Sequence, residues 1–181
     1  MSRNYKFHNQ ERPYFVTFSV IRWIDVFTRR KYKDILVDSI KYCIANKGLE
    51  LYAWVIMSNH VHMIIGTNDK PMQDILRDMK RHTSKALIKE INENMQESRR
   101  DWMMWFFERE GRGNPNNEQY QFWQQGNRPI ELFTNEVFDQ KLDYIHNNPV
   151  VAAWVDEPEH YLYSSARDYA GIKGLIDVIL V

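Results

Sequence analysis

Two histidines separated by one residue, His60 and His62, open the second half of an apolar stretch, Leu51-Tyr-Ala-Trp-Val-Ile-Met-Ser-Asn-His-Val-His-Met-Ile-Ile-Gly66. Segments rich in Val, Ile and aromatic residues flank Ser58-Asn59, the pattern of a β-hairpin with a tight turn at Met57–Asn59. Side chains alternate along a strand, so both imidazoles share one face and Val61 takes the other. At about 7 Å between Cα atoms, such a pair can converge on one divalent ion. A His-x-His pair is also a common half-exposed strand feature, yet an apolar hairpin has no structural need of two imidazoles.

Asp143-Tyr-Ile-His-Asn-Asn-Pro-Val150 is the second stretch with chemical potential. Tyr144 and Asn148 are four apart in a helical pattern and therefore share a face. If that face looks at the histidine strand, Asn148 offers an oxygen ligand and Tyr144 a hydroxyl beside the ion. A phenol with a pKa near ~10 needs a metal, a base or the substrate to help it attack at neutral pH. Phosphoryl transfer suits such a set, with the ion polarising a phosphate oxygen while the phenolate attacks in line. By themselves, Tyr144 also reads as an amphipathic core residue and Asn148 as a helix C-cap before Pro149.

These residues need a scaffold, and the chain supplies one in order. After a basic arm at 1–13, Tyr14–Ile21 is β-branched and aromatic and reads as a strand. Thr28 caps a helix over 29–46, with Ile35, Leu36, Ile40, Cys43 and Ile44 as its buried stripe. The histidine hairpin follows at 49–66 and a turn-rich break at 66–71. A helix over 72–94 turns Ile75, Leu76, Met79, Leu87, Ile88 and Ile91 inward and carries basic residues outside. A helical insertion around 97–117 holds Trp102, Met103, Met104, Trp105, Phe106 and Phe107 within 97–110, read as core ahead of a partner surface, and ends in a loop at 111–117. Strands are expected at 120–125, 130–133 and 175–181. Asn135 caps a last long helix that ends at Pro149, and the tail 156–169 turns twice. The expected fold is one α+β domain over 1–181, with a ferredoxin-like antiparallel sheet, helices packed mainly on one face, and a C-terminal tyrosine-bearing helix.

Composition narrows the class. The chain has 181 residues, 44% of them hydrophobic, enough for a core, and its single cysteine excludes an internal disulfide or a thiolate zinc cluster. With no apolar run of membrane-spanning length and no signal-peptide core, a cytoplasmic protein is expected. Formal net charge is zero, but residues 1–33 carry eight Lys/Arg against two Asp/Glu, and residues 131–181 three against nine. Residues 77–89 hold Arg77, Lys80, Arg81, Lys85 and Lys89 against Asp78 alone. Local charge on a binding face governs phosphate contact, so basic patches keep nucleic acid open as a partner, alongside two solvated faces of one balanced protein.

Met57-Ser-Asn-His-Val-His-Met-Ile64 resembles the HUH motif (His, bulky apolar, His) of single-tyrosine transposases. Tyr144-Ile-His-Asn-Asn-Pro-Val150, followed by Pro158-Glu-His-Tyr-Leu-Tyr-Ser-Ser-Ala-Arg-Asp-Tyr169, is similar to the C-terminal signature of REP-associated tyrosine transposases. The motifs stand in family order, and the resemblance spans roughly residues 5–170. It implies metal-dependent cleavage and rejoining of single-stranded, hairpin-associated DNA through a 5′-phosphotyrosine link and a free 3′-OH. It implies His60 and His62 as ligands of Mg²⁺ or Mn²⁺, Tyr144 as nucleophile, Asn148 as third ligand, and Arg77, Lys80, Arg81, Thr83 and Lys85 as DNA contacts. Asn148 stands where many relatives carry glutamine, and Ser58 where proline is frequent. Val151-Ala-Ala-Trp-Val155 replaces a commoner Arg-Ala-Gly-hydrophobic-Val and removes a basic residue. The alternatives are a non-catalytic hairpin-binding relative and a metal phosphoesterase in which water attacks. Expected partners are single-stranded or hairpin DNA and no membrane, with homodimer and monomer both open.

Overall fold

The computed structural model describes residues 7–113, 119–126 and 129–181. Part of the basic arm (1–6) and residues 114–117 of the loop expected after the insertion lie outside them. Four strands, β1 (Tyr14–Ser19), β2 (Leu49–Ile56), β3 (His60–Thr67) and β4 (Ile130–Glu131), form an open antiparallel sheet in the order β2-β3-β1-β4. Helix α1 (Arg30–Lys47) links β1 to β2, α2 (Met72–Glu93) and α3 (Arg100–Arg112) follow β3, and α4 (Asn135–Val151) and α5 (Ala166–Tyr169) close the chain. No described helix is long and apolar enough to cross a membrane.

The two faces of the sheet do different work. Tyr14, Val16 and Phe18 alternate on β1 with Phe15, Thr17 and Ser19. The Phe18 side is the main core: the indole of Trp123 stands edge-on to Phe18, and Trp123 is bonded in turn to Thr83 of α2. Helices α1 and α2 pack on each other and cover this side through Leu36, Ile40, Ile75, Leu76, Met79 and Leu87, all buried. Register places Thr17 opposite His62 and Val55 opposite His62, so the other side carries Phe15, Thr17, the histidines and Val55. Helix α4 lies against that second side. Phe138 meets Tyr52, which a bulge between Leu51 and Ala53 brings to this face, and Tyr144 meets Phe15.

Several boundaries depart from the expected ones. The 120–125 segment is not a strand: it borrows single bonds from β1 and α3, with Val20 paired to Trp123 as an isolated bridge and Gln121 donating to the Phe107 carbonyl. Residues 175–181 also form no strand, although the Ile179 amide donates to the Leu51 carbonyl along the free edge of β2 at 2.8 Å. The continuation expected at 130–133 shrinks to the two residues of β4. Thr134, not Asn135, caps α4, its Oγ1 accepting from the Val137 amide. Pro149 sits inside α4, whose last turn survives because Asn148 and Pro149 carbonyls still accept from Ala152 and Trp154. The insertion is only partly core, since Met103 and Phe107 are buried but Trp102 and Trp105 are each 51% exposed. Its start is anchored by buried Glu97, which accepts from Arg29 and Arg99. Burial alone would raise that carboxyl, but the two guanidiniums hold it down at about 2.

Two of the expected DNA contacts on α2 are absorbed by this packing. Thr83 is fully buried, donating to the Met79 carbonyl at 2.8 Å and accepting from the Trp123 indole at 3.1 Å. Lys80 donates to the Gln124 and Gly126 carbonyls, and burial pushes its ammonium down to about 8. Thr83→Val keeps the shape but strands the Trp123 N–H in the core. Urea unfolding should show a loss of about 1–3 kcal/mol.

Candidate active site

Strand β3 is paired on both edges, so the direction of each β3 side chain is set by the sheet. The His60 and His62 rings stand 4.7 Å apart between centroids. Each is oriented through Nδ1. Thr17 Oγ1 lies 2.7 Å from His62 Nδ1, and Asn59 Oδ1 lies 2.7 Å from His60 Nδ1. The Asn59 amide nitrogen donates to the Trp23 carbonyl and to Asp25 Oδ1, so its oxygen must face the imidazole. That places the proton of neutral His60 on Nδ1 and a lone pair on Nε2. Ser58 also donates to Asp25, closing the turn, and the Phe15 ring stacks on His62 at 5.3 Å.

His62 is buried and its Nε2 has no hydrogen-bond partner. Such an orphan is costly unless something binds it. Burial first, then His60 and Lys141, pushes His62 down to about 3. Burial also lowers His60, with Asp25 opposing. Both imidazoles are therefore neutral donors at pH 7, the form in which histidine binds metal, each fixed by a second partner. These features fit a divalent ion. Among the described residues, however, no group of three or more His, Cys, Asp or Glu gathers to hold one. An ion here would use the two imidazoles and complete its shell with donors of other kinds, such as an amide, phosphate oxygens or water.

Tyr144 of the same chain comes to this pair. Its ring is edge-on to His62 at 5.1 Å and to Phe15 at 5.9 Å, and the residue is 49% exposed. Asn148, one turn on, is half-buried, and its Nδ2 donates to the Tyr144 carbonyl at 3.4 Å. His146 faces away from the pair, bonded to Ser165 Oγ at 2.9 Å and against the Tyr169 ring. Since Ser165 also accepts from the Trp54 amide of β2, this contact ties α4 to the sheet.

Sequence patterns missed Lys141. It lies one turn before Tyr144, with Nζ 5.7 Å from the Tyr144 ring centre and 5.1 Å from that of Phe15. Its spacing of three from Tyr144 was the available signal. The basic residues of α2 lie elsewhere. Arg77 is paired with Asp74 and Asp78, and Arg81 and Lys85 line a groove against Tyr42 and Cys43 of α1, on the side of the sheet away from the histidines.

The family described as Transposase IS200 like matches residues 13–110, more than half of the chain and including both histidines. The structure of a REP-associated tyrosine transposase bound to a REP hairpin is similar at a TM-score of 0.66 and 20% identity, covering 99% of this chain and 94% of that one. A crystal structure of a candidate transposase from Deinococcus radiodurans R1 gives 0.44 and 17%, covering 81% and 97% respectively. The first likeness shows a shared fold. No curated protein matches the chain.

Holding His62 neutral against its solution pKa of ~6.5 has a stability consequence. The unfolded chain takes up a proton below ~6.5, whereas the folded one resists until about 3. Stability from this group is full above ~6.5 and is lost as pH falls toward 3, by up to ~1.4 kcal/mol per pH unit. Denaturation of the metal-free protein between pH 7 and 4 should show this slope, flattened in His62→Gln.

Proposed function

The chain belongs to the family of IS200-like transposases, and from that premise we propose that it nicks and rejoins single-stranded, hairpin-associated DNA with Tyr144 as nucleophile. The observation carrying this reading is the approach of the Tyr144 ring to 5.1 Å from His62 within one chain. A hairpin is also what the structurally similar REP-associated transposase is bound to.

The phenol oxygen of Tyr144 bonds to phosphorus as the bond from phosphorus to the 3′ oxygen breaks. The phenol loses its proton, the departing 3′ oxygen gains one, and the 5′ phosphate stays esterified to the enzyme. Reversal with another 3′-OH releases Tyr144 and rejoins a strand. His60 and His62 would hold Mg²⁺ or Mn²⁺, with Asn148 proposed as a third ligand. When bound, the ion would supply Lewis-acid polarisation of a non-bridging phosphate oxygen. Lys141 adds a positive charge beside the nucleophile, where negative charge builds as the phenol ionises. The floor of the site, Phe15 and Thr17, keeps His62 dry and oriented. With nucleophile and ligands in one subunit, cleavage proceeds in cis, and a dimer is not required to complete the site. Arg81 and Lys85, exposed on α2, are proposed as outlying phosphate contacts, with Arg77 contributing only by giving up its acidic partners.

Denaturing gels after incubation with hairpin oligonucleotides bearing single-stranded flanks, in Mg²⁺ or Mn²⁺, provide the test. Wild type should form a covalent protein–DNA adduct, and Tyr144→Phe should form none while binding normally. An undiminished adduct in that variant would remove Tyr144 from the reaction. Hydrolysis with no adduct would point to water as the nucleophile, and binding alone to a non-catalytic relative. His60→Ala should lose metal-dependent cleavage with binding retained. Lys141→Gln should slow adduct formation by ~10²-fold, read as an initial rate at saturating DNA.

A further inference from the structure

Beside the histidine pair lies a second feature that the nicking chemistry does not use. A cleft of about 540 Å³ is walled by Trp23 after β1 and by Trp102 and Phe106 of α3, with Arg22 and Arg99 at its sides. Trp23 is 52% exposed and its ring stands edge-on to His60 at 5.8 Å, so one wall of the cleft touches the histidine pair.

The backbone is strained to present that ring. Arg22 and Trp23 have φ of 51° and 55°, consecutive left-handed conformations that side chains of this size rarely adopt. The surrounding bonds hold them there: the Val20 amide donates to the Asn59 carbonyl, the Phe27 amide to the Ser58 carbonyl, and Asn59 Nδ2 to the Trp23 carbonyl. Strain maintained by the same turn that orients His60, for the sake of an exposed indole, is characteristic of a functional surface.

The charge pattern selects the occupant. Arg22 is paired with Glu110, and Arg99 bonds to Glu97, Thr28 and the Asp25 carbonyl. What remains offered is aromatic faces, with the Arg22 guanidinium 5.8 Å from the Phe106 ring centre. A flat, uncharged π-system attached to a chain that continues to the histidines fits this surface. We propose that the cleft stacks an unpaired nucleobase of the single strand next to the scissile phosphate, with Trp23 and Trp102 as platforms. The proposal rests on the nicking reading for its substrate class.

Anisotropy of a fluorescently labelled oligo-dT, compared with a labelled duplex of equal length, tests it without any need for a target sequence, because stacking tolerates all bases. Trp23→Ala and Trp102→Ala should each weaken single-strand binding by ~5- to 100-fold and leave duplex binding unchanged. Trp23→Phe should restore most of the affinity. The two tryptophans lie on separate elements, so misfolding of one variant leaves the other as a test. Wild-type affinity in both alanine variants, equal losses on duplex, failure of Trp23→Phe to rescue, or no single-strand binding by the wild type would each overturn the proposal. Failure of the nicking reading shows separately, as a wild-type protein that binds oligo-dT through the cleft yet forms no covalent adduct with any hairpin.

Discussion

Everything at the candidate site depends on β3 being hydrogen-bonded along both edges while half of its side chains face a surface that the main core does not use. A strand paired on one side only can slip or twist, and a slip by one residue would exchange His60 and His62 for Val61. Between β1 and β2 that exchange is closed, because Val61, Met63 and Ile65 are locked in the core beneath α1 and α2. The apolar face therefore stabilises the geometry of the polar one. Nδ1 contacts from Thr17 and Asn59 finish the orientation, and they come from a neighbouring strand and a turn that the same pairing brings within reach.

Much of this arrangement is legible in the chain because it depends on short-range periodicity. A period of two puts both imidazoles on one face, and a spacing of four puts Tyr144 and Asn148 on one side of a helix. Strand and helix order is similarly local, and β1, α1, the hairpin and α2 follow the pattern of apolar residues. Features that depend on tertiary register are not legible. Nothing in Ser58-Asn59 announces that its amide will be turned by Asp25 and Trp23, thirty-odd residues earlier, so as to set the tautomer of His60. Arg22 and Trp23 look like ordinary residues after a strand. Only the stitched turns reveal that they are held left-handed.

The basic helix shows how a correct local reading can stop short of position. Helical periodicity places Arg81 and Lys85 on the outer face of α2, and they are there. It does not say on which side of the sheet α2 packs, and that side is opposite the histidines. Thr83 is expected among the DNA contacts with them, but the indole of Trp123 supplies a buried donor that needs an acceptor, and Thr83 turns inward to meet it. Lys80 is similarly drawn to the carbonyls of the 124–126 segment, which have no ladder of their own to satisfy them.

Charge sorting on α4 completes the account. The last third of the chain is acidic, which by count argues against an approach by DNA. Within α4 the acidic residues Glu136, Asp139 and Asp143 are all exposed, whereas Lys141, the helix's one Lys or Arg, is half-buried against Phe15 and Tyr144. The helix therefore sends its negative charge to solvent, where water and salt screen it, and its positive charge into a partly dry site where the field is screened least. Of the charges on α4, the one that acts on His62 is therefore this cation, while the carboxylate that acts on His60 is Asp25 of the neighbouring turn. In an acidic segment, this orientation of a single lysine sets a positive charge beside Tyr144 and Phe15. It also accounts for part of the lowered His62 pKa, so the charge that would favour a phosphate is the one that helps keep the imidazole neutral.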